Sequence, residues 1–496
     1  MNAPSIRFSA ASLFFALLIS ATAAGELSHR DFNIREYGAR GDGMTVDTRA
    51  IQQAIDACRE AGGGRVLFPE GRYLSGTIRL RDGVELHLTA KARLVGVDDL
   101  DAYASFESPG WGNRRWNRGL IVGEGLRDIV ISGSGVIDGN KVFDPQGEEK
   151  MRGPHTITLM GCRNVTLRDV TIRDSANYAF LFYYCEKVRV ENASFEGGWD
   201  GVHFRGGGEG DNRKWNRDVR VTGCKFFTGD DCIAGHYIEQ AVVEDCLLNS
   251  SCNGVRLIGP AKNLSFRRCE FVGPGKFEHR TSREMHRTNM LAGLLLQPSA
   301  WGATPGPLED VVVEDITMRD LACALHVSIR KDNAADRLTF ERLRATGIYG
   351  PAISVEGWGE QPIGAVTLRD IDVAYTPDAF VDPRGKGPPK VQSPIQRPGV
   401  GISSRKLPVW GFYGRNIDDI RLERVRFTTE ARDETRPVVR ADDVGTLRIE
   451  HLEHSRLPDR VEAIECNDVG AIERDDTPEP PAPPRINERH NGSTMQ

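Results

Sequence analysis

Cys162-Arg-Asn-Val-Thr-Leu-Arg-Asp-Val-Thr-Ile-Arg is followed, eleven residues later, by Cys185-Glu-Lys-Val-Arg-Val-Glu-Asn-Ala-Ser-Phe. Each copy is a turn, a short alternating strand, a charged or small break, and a second short strand. The pattern returns at Asn216, Ile238, Ala261, Leu308, Ala335, Ile363, Ile417 and Val444. The compact copies repeat every 22 or 23 residues, and the spacing grows to 27 or 28 beyond residue 308. A period of this size marks a solenoid, a propeller or an array. Each unit holds only enough strand for one coil, whereas a propeller blade needs four strands. Alternate Val, Ile, Leu and Phe then point into one continuous core. The pattern predicts an all-β protein: a right-handed, single-stranded parallel β-helix of about eleven coils, roughly 50 Å long at ~4.8 Å per coil.

Working outward, the cysteines follow the same period. Cys162 and Cys185 are 23 apart, and Cys224, Cys246 and Cys269 are 22 and 23 apart, which predicts stacked interior positions. Ten cysteines are too few for a disulfide scaffold; some disulfides stay open. No Cys-x-x-Cys pair or Cys/His cluster at zinc spacing occurs, so no metal is expected. Upstream, Thr45 or Asp47 can cap a helix from about Thr48 to Ala61 with the apolar stripe Ile51, Ala54, Ile55 and Cys58, and Gly62-Gly63-Gly64 ends it. This helix is expected to cover the open N-terminal end of the solenoid, so that residues 30–90 form the cap and first coils of a β-helix domain at 30–470. Three stretches break the period and should leave the coil as loops: Ser105 to Arg118, Gly275 to Pro307, and Thr376 to Asn416.

The ends read differently. Arg7, the apolar run Ala10 to Ile19 and Ala21-Thr22-Ala23 read as a signal peptide at 1–23, which implies a secreted or periplasmic protein. The tail at 475–496, with Pro478-Glu-Pro-Pro-Ala-Pro-Pro, reads as disordered. The whole chain has 496 residues, 64 basic against 70 acidic, so no basic excess is available to neutralise nucleic-acid phosphates. No later apolar run is long enough for a membrane span. A soluble monomer acting on a polysaccharide is the expectation, with no nucleic-acid or membrane partner and no cofactor.

Carboxylates gather at one place in the period. Trp199-Asp200-Gly201-Val202-His203-Phe204-Arg205 ends one coil turn, and Gly229-Asp230-Asp231-Cys232-Ile233-Ala234 occupies the next. Asp200 and Asp230 are 30 apart, and the nine glycine-rich residues Gly206 to Lys214 account for the surplus over 22 as a loop. Asp200 should therefore sit one coil, ~5 Å, from the Asp pair. Glycoside hydrolysis needs a carboxylic acid to protonate the leaving oxygen and a carboxylate to activate water, ~6.5–9.5 Å apart in inverting enzymes, a span that a coil-to-coil step plus side-chain reach fits. Asp-Gly and Gly-Asp are equally ordinary turn formers.

Tyr37-Gly-Ala-Arg-Gly-Asp-Gly43, Gly133-Ser-Gly-Val-Ile-Asp-Gly139 and Gly229-Asp-Asp-Cys-Ile-Ala234 resemble glycoside hydrolase family 28, the polygalacturonases and rhamnogalacturonases. The resemblance covers residues 32 to 460 and implies a secreted, metal-independent, inverting pectin hydrolase. It makes Asp230 the general acid and Asp200 and Asp231 the pair that activates water, and the neighbouring carboxylates are expected to raise the pKa of Asp230. Three motifs depart from the family, and the first, its Asn-Thr-Asp, reads Gly198-Trp199-Asp200 and keeps only the carboxylate. Its Gly-His-Gly falls at Cys252-Asn253-Gly254, which leaves His236 or His203 to replace the histidine. Its uronate-gripping Arg-x-Lys has no clean copy, which leaves Arg256, Arg330 and Lys331 as candidates. Arg205, Asn253, Trp111 and Trp116 complete the expected substrate contacts. A lyase or epimerase that recruits Arg256, and a non-catalytic glycan-binding solenoid whose Trp111, Trp116 and Trp301 stack on sugars, are the alternatives on the same fold.

Overall fold

The computed structural model describes residues 30–105, 116–207, 214–279, 287–376, 407–430 and 435–475. The expected signal peptide, Trp111 and the tail beyond Asp475 lie outside them. Every strand pairing between named strands is parallel, and each strand lies over the one a coil earlier. Val165, Val188 and Val219 stand in one register column, and Leu167, Val190 and Val221 in another. All six are buried, so a one-residue slip would turn a whole apolar row outward. The chain is a right-handed parallel β-helix, the hand that parallel crossovers take.

Fourteen successive pairings link fifteen strands from Asp31–Asn33 to Ile464–Asp475. At ~4.8 Å each that is roughly 70 Å, longer than the eleven coils counted from the repeats. The first coils were missed because the cap interrupts their period, and the last because Ile464–Asp475 is largely exposed and lacks the apolar alternation.

Helix α1, Thr48–Glu60, buries Ile51, Ala54, Ile55 and Cys58 against the first coils, as its stripe predicts. Asp47 precedes it, and its carbonyl accepts the Ile51 amide at 3.0 Å, but its side chain does not cap the helix; the carboxylate instead accepts from the Arg40 and Gly41 amides at 2.8 and 3.0 Å. Gly63 has φ 104°, and a Cβ there would lie 2.6 Å from the Gly83 carbonyl oxygen, so the turn out of the helix needs glycine.

The stretch Gly275–Pro307 is not one loop. Ala292–Leu296 is a buried strand lying between Asn253–Leu257 and Leu325–Ile329, so the chain re-enters the coil midway. Likewise Phe412–Asn416 opens a long strand. Asp475, placed in the tail by its composition, ends the last strand. All ten cysteines are free, nine of them buried. Five of them form two columns, Cys162 over Cys185 and Cys224 over Cys246 over Cys269. Among the described residues no helix is long and apolar enough to cross a membrane.

Candidate active site

The register that stacks Val202 on Ile233 and Ile233 on Val255 also stacks the turns just before them. Gly201 donates its amide to the Asp231 carbonyl at 3.0 Å, and Cys232 donates to the Asn253 carbonyl at 3.0 Å. Asp200, Asp231 and Asn253 thus form a column at the edge of one sheet, with Asp230 beside it. The surplus between the coils leaves as a loop closed by an antiparallel bridge from Gly207 to Lys214. The Thr228 and Ser250 hydroxyls both donate to the Asp230 carbonyl, at 2.7 and 2.6 Å. Gly229 is required here, because a Cβ would come 2.4 Å from the Gly198 carbonyl oxygen.

The three aspartates are buried and bring oxygens within 4.8 Å of one another. That is tighter than the ~6.5–9.5 Å typical of inverting pairs, so the spacing itself does not select inversion. Three such carboxylates cannot all stay ionised, and the surroundings decide which does. Burial raises Asp230, but His279 and Arg152 outweigh it and hold its carboxyl well below the usual range. Arg152 Nη2 lies 3.4 Å from one oxygen and His279 Nε2 3.5 Å from the other. Burial, then the Asp230 charge, pushes Asp231 up to about 6. Burial and both neighbours push Asp200 well above its ordinary value. The raised pKa expected for Asp230 is therefore corrected: Asp230 is held down, and it is Asp200 and Asp231 that burial and their neighbours push up.

Arg152 was not legible as a site residue. Its guanidinium lies 5.3 Å from the ring centres of both Tyr178 and Trp199, bonds Asn177 Oδ1 at 3.3 Å and pairs with Glu149. His279 lies in the Gly275–Pro307 stretch expected to leave the coil, yet it stands beside Asp230, which neither His203 nor His236 does. His203 turns to Asp200 instead, at 2.6 Å. His236 stands beside Arg205 in the next coil; burial takes it down to about 3, and its ring packs edge-on against Tyr237.

The remaining candidates divide. Asn253 donates to Asp231 Oδ1 at 2.7 Å. Arg205 is buried and bonds His203 and Tyr178, so it faces protein rather than a ligand. Arg256 is buried beside the cluster, with Nε and Nη2 lacking partners and its guanidinium 5.1 Å from the ring of exposed Trp301. Trp116 packs edge-on against Tyr178 and His155. Arg330 bonds the Ser299 carbonyl and Lys331 is exposed on a later coil, so neither is brought to the cluster. Two sets of donor atoms lie close enough to hold a cation: Asp200 with Asp230 and Asp231, and Asp230 with Cys252 and His279. In both, the Arg152 guanidinium already supplies positive charge to Asp230.

Fold and site together are those of a parallel β-helix with a buried carboxylate cluster at the edge of one sheet. Residues 32–256 match the family described as rhamnogalacturonase A/epimerase, pectate lyase-like. The exo-poly-alpha-D-galacturonosidase of Dickeya chrysanthemi is 29% identical over 258 residues, 40% of this chain and 41% of that one. Plasmin and fibronectin-binding protein A of Streptococcus pneumoniae is 30% identical over 187 residues, 35% of this chain and 25% of that one. The chain thus spans well under half the length of either relative. The structure of the Yersinia enterocolitica family 28 exopolygalacturonase shares the fold, with TM-score 0.55 and 17% identity over 91% of this chain and 79% of its own. The first half of the chain is thus similar to this group in sequence, and the Yersinia enterocolitica structure shares its fold.

Proposed function

We propose that the protein is an exported glycoside hydrolase that cleaves O-glycosidic bonds in a pectin-like polysaccharide of galacturonan or rhamnogalacturonan type. One observation carries the reading: three buried carboxylates from adjacent coils converge, one held ionised by Arg152 and His279 and one pushed to about 6. A site that holds a carboxylate and a carboxylic acid together near neutral pH has what acid/base hydrolysis needs. Asp231, bonded by an amide and not by a cation, is the proton donor; Asp230 activates the water. This exchanges the roles that the resemblance implies. Arg256, with free donors beside the cluster, binds an acidic group of the substrate, and Trp301 stacks on a sugar. The early apolar run supplies export.

The free Arg256 donors also favour a second reading, a lyase or epimerase in which Arg256 neutralises a uronate. Screening the purified protein against defined pectic polysaccharides separates the two. The hydrolase reading expects new reducing ends without ultraviolet-absorbing unsaturated product. Unsaturated product would establish the lyase. Binding without any cleavage across the panel would leave a glycan-binding solenoid.

A further inference from the structure

Behind Asp200 lies a group of side chains that the acid/base scheme does not use. His203 Nδ1 is 2.6 Å from Asp200 Oδ2, and His203 Nε2 is 3.1 Å from Arg205 Nε. The ring is stacked on Tyr178, centres 4.1 Å apart and 4° from parallel. Arg205 Nη2 donates to the Tyr178 hydroxyl at 3.3 Å, which ties the far end of the stack. His203 is 2% exposed, so no substrate atom reaches its ring.

The protonation of this ring follows from its partners. A guanidinium Nε–H only donates, so His203 Nε2 must accept and cannot carry a proton. A neutral imidazole then keeps its proton on Nδ1, which donates to Asp200 Oδ2. The groups facing the ring are Asp200 from the turn before its strand, Arg205 on that strand, Tyr178 and His155 from earlier coils, Arg152 from the loop before them, and His236 from the next coil. Burial and the neighbouring cations keep His203 neutral well below its ordinary range. Asp200 Oδ1 receives the Asp231 amide at 3.2 Å, so both oxygens are fixed from the protein side.

We infer that His203, clamped between Tyr178 and Arg205 as its Nδ1–H tautomer, is a positioning residue that fixes the orientation of the Asp200 carboxyl against Asp231. It serves the catalytic cluster proposed above and rests on that reading for its kinetic consequence, but its geometry stands apart from any reaction. Outer-layer hydrogen-bond partners of this kind typically contribute 10–100-fold at metal sites, and a comparable size is expected here. The shape of the pocket also predicts which replacement works. Asn places an amide donor where Nδ1 stands, whereas Phe keeps the stacked ring and removes both nitrogens.

The test has two arms. Long-range ¹H–¹⁵N spectra of the intact protein labelled at histidine should show His203 protonated on Nδ1 and bare on Nε2 from pH 5 to pH 8 (about the titration window of a free histidine). An Nε2–H tautomer, or titration to imidazolium in that range, would overturn the inference whatever the protein catalyses. On the best substrate of the panel, His203→Phe should lower kcat by about 10–100-fold with KM nearly unchanged, and His203→Asn should recover most of it. Equal loss in both variants, or none in His203→Phe, would also overturn it. If no polysaccharide is cleaved, the proposed function fails while the spectra still decide the tautomer.

Discussion

Arg152 and Asp231 show how one buried cluster sorts its charges. Arg152 sits against Asp230, whereas at Asp231 burial and the Asp230 charge outweigh Arg256 and the Asn253 amide, so the two neighbouring aspartates titrate on opposite sides of their ordinary value. The stability consequence has a definite sign. Asp231 is near 4 when unfolded and about 6 when folded, so the native state binds the extra proton between those values. That contribution is fully present below about pH 4 and is lost as pH rises through about 6. Asp231→Asn removes the loss and keeps an oxygen for the Asn253 amide. Its thermal midpoint should exceed that of the wild type by a few degrees at pH 7.5, with the advantage shrinking toward pH 4.5. An advantage that grows on acidification would contradict the charge assignment. At this scale the sequence marked Asp200, Asp230 and Asp231 because the repeat gives their register. Arg152 and His279 escaped because they lie in segments outside the repeat, where nothing in the spacing says which coil they return to.

The elements owe their order to like residues stacking on like. Phe195 and Phe226 occupy successive rungs with rings 4.7 Å apart and 1° from parallel, both fully buried. Phe226→Ala should cost about 3–5 kcal/mol, measured by denaturant unfolding, because neighbouring coils cannot close on the cavity without breaking register. A cost under about 1 kcal/mol would mean that the coils collapse independently. The same stacking made the strands and the cysteine columns readable in advance, while α1 was readable from its own apolar stripe. It failed at Ala292–Leu296, whose continuous Leu-Leu-Leu carries no alternation because its outward side chains are also covered. It failed too at the N-cap, where Asp47 spends its carboxylate on the preceding turn.

Across the whole molecule, the outer faces of the later coils carry ion-pair ladders that climb from coil to coil, such as Glu314 to Arg342 to Glu341 to Arg369 to Glu423. Near-balanced charge of this kind covers the solenoid and leaves the carboxylate cluster as a distinct buried feature among the described residues. Fold class was legible because it depends on a repeat; substrate and reaction were not, because they depend on a few side chains and loops. The central claim is that water, activated by this cluster, is added across a glycosidic bond. Running the reaction on the best pectic substrate in ¹⁸O-labelled water and weighing the products tests it directly. Hydrolysis predicts one ¹⁸O atom incorporated for every bond cleaved, with saturated products on both sides and incorporation abolished by Asp230→Asn. Cleavage without incorporated ¹⁸O, giving an unsaturated end, would contradict it.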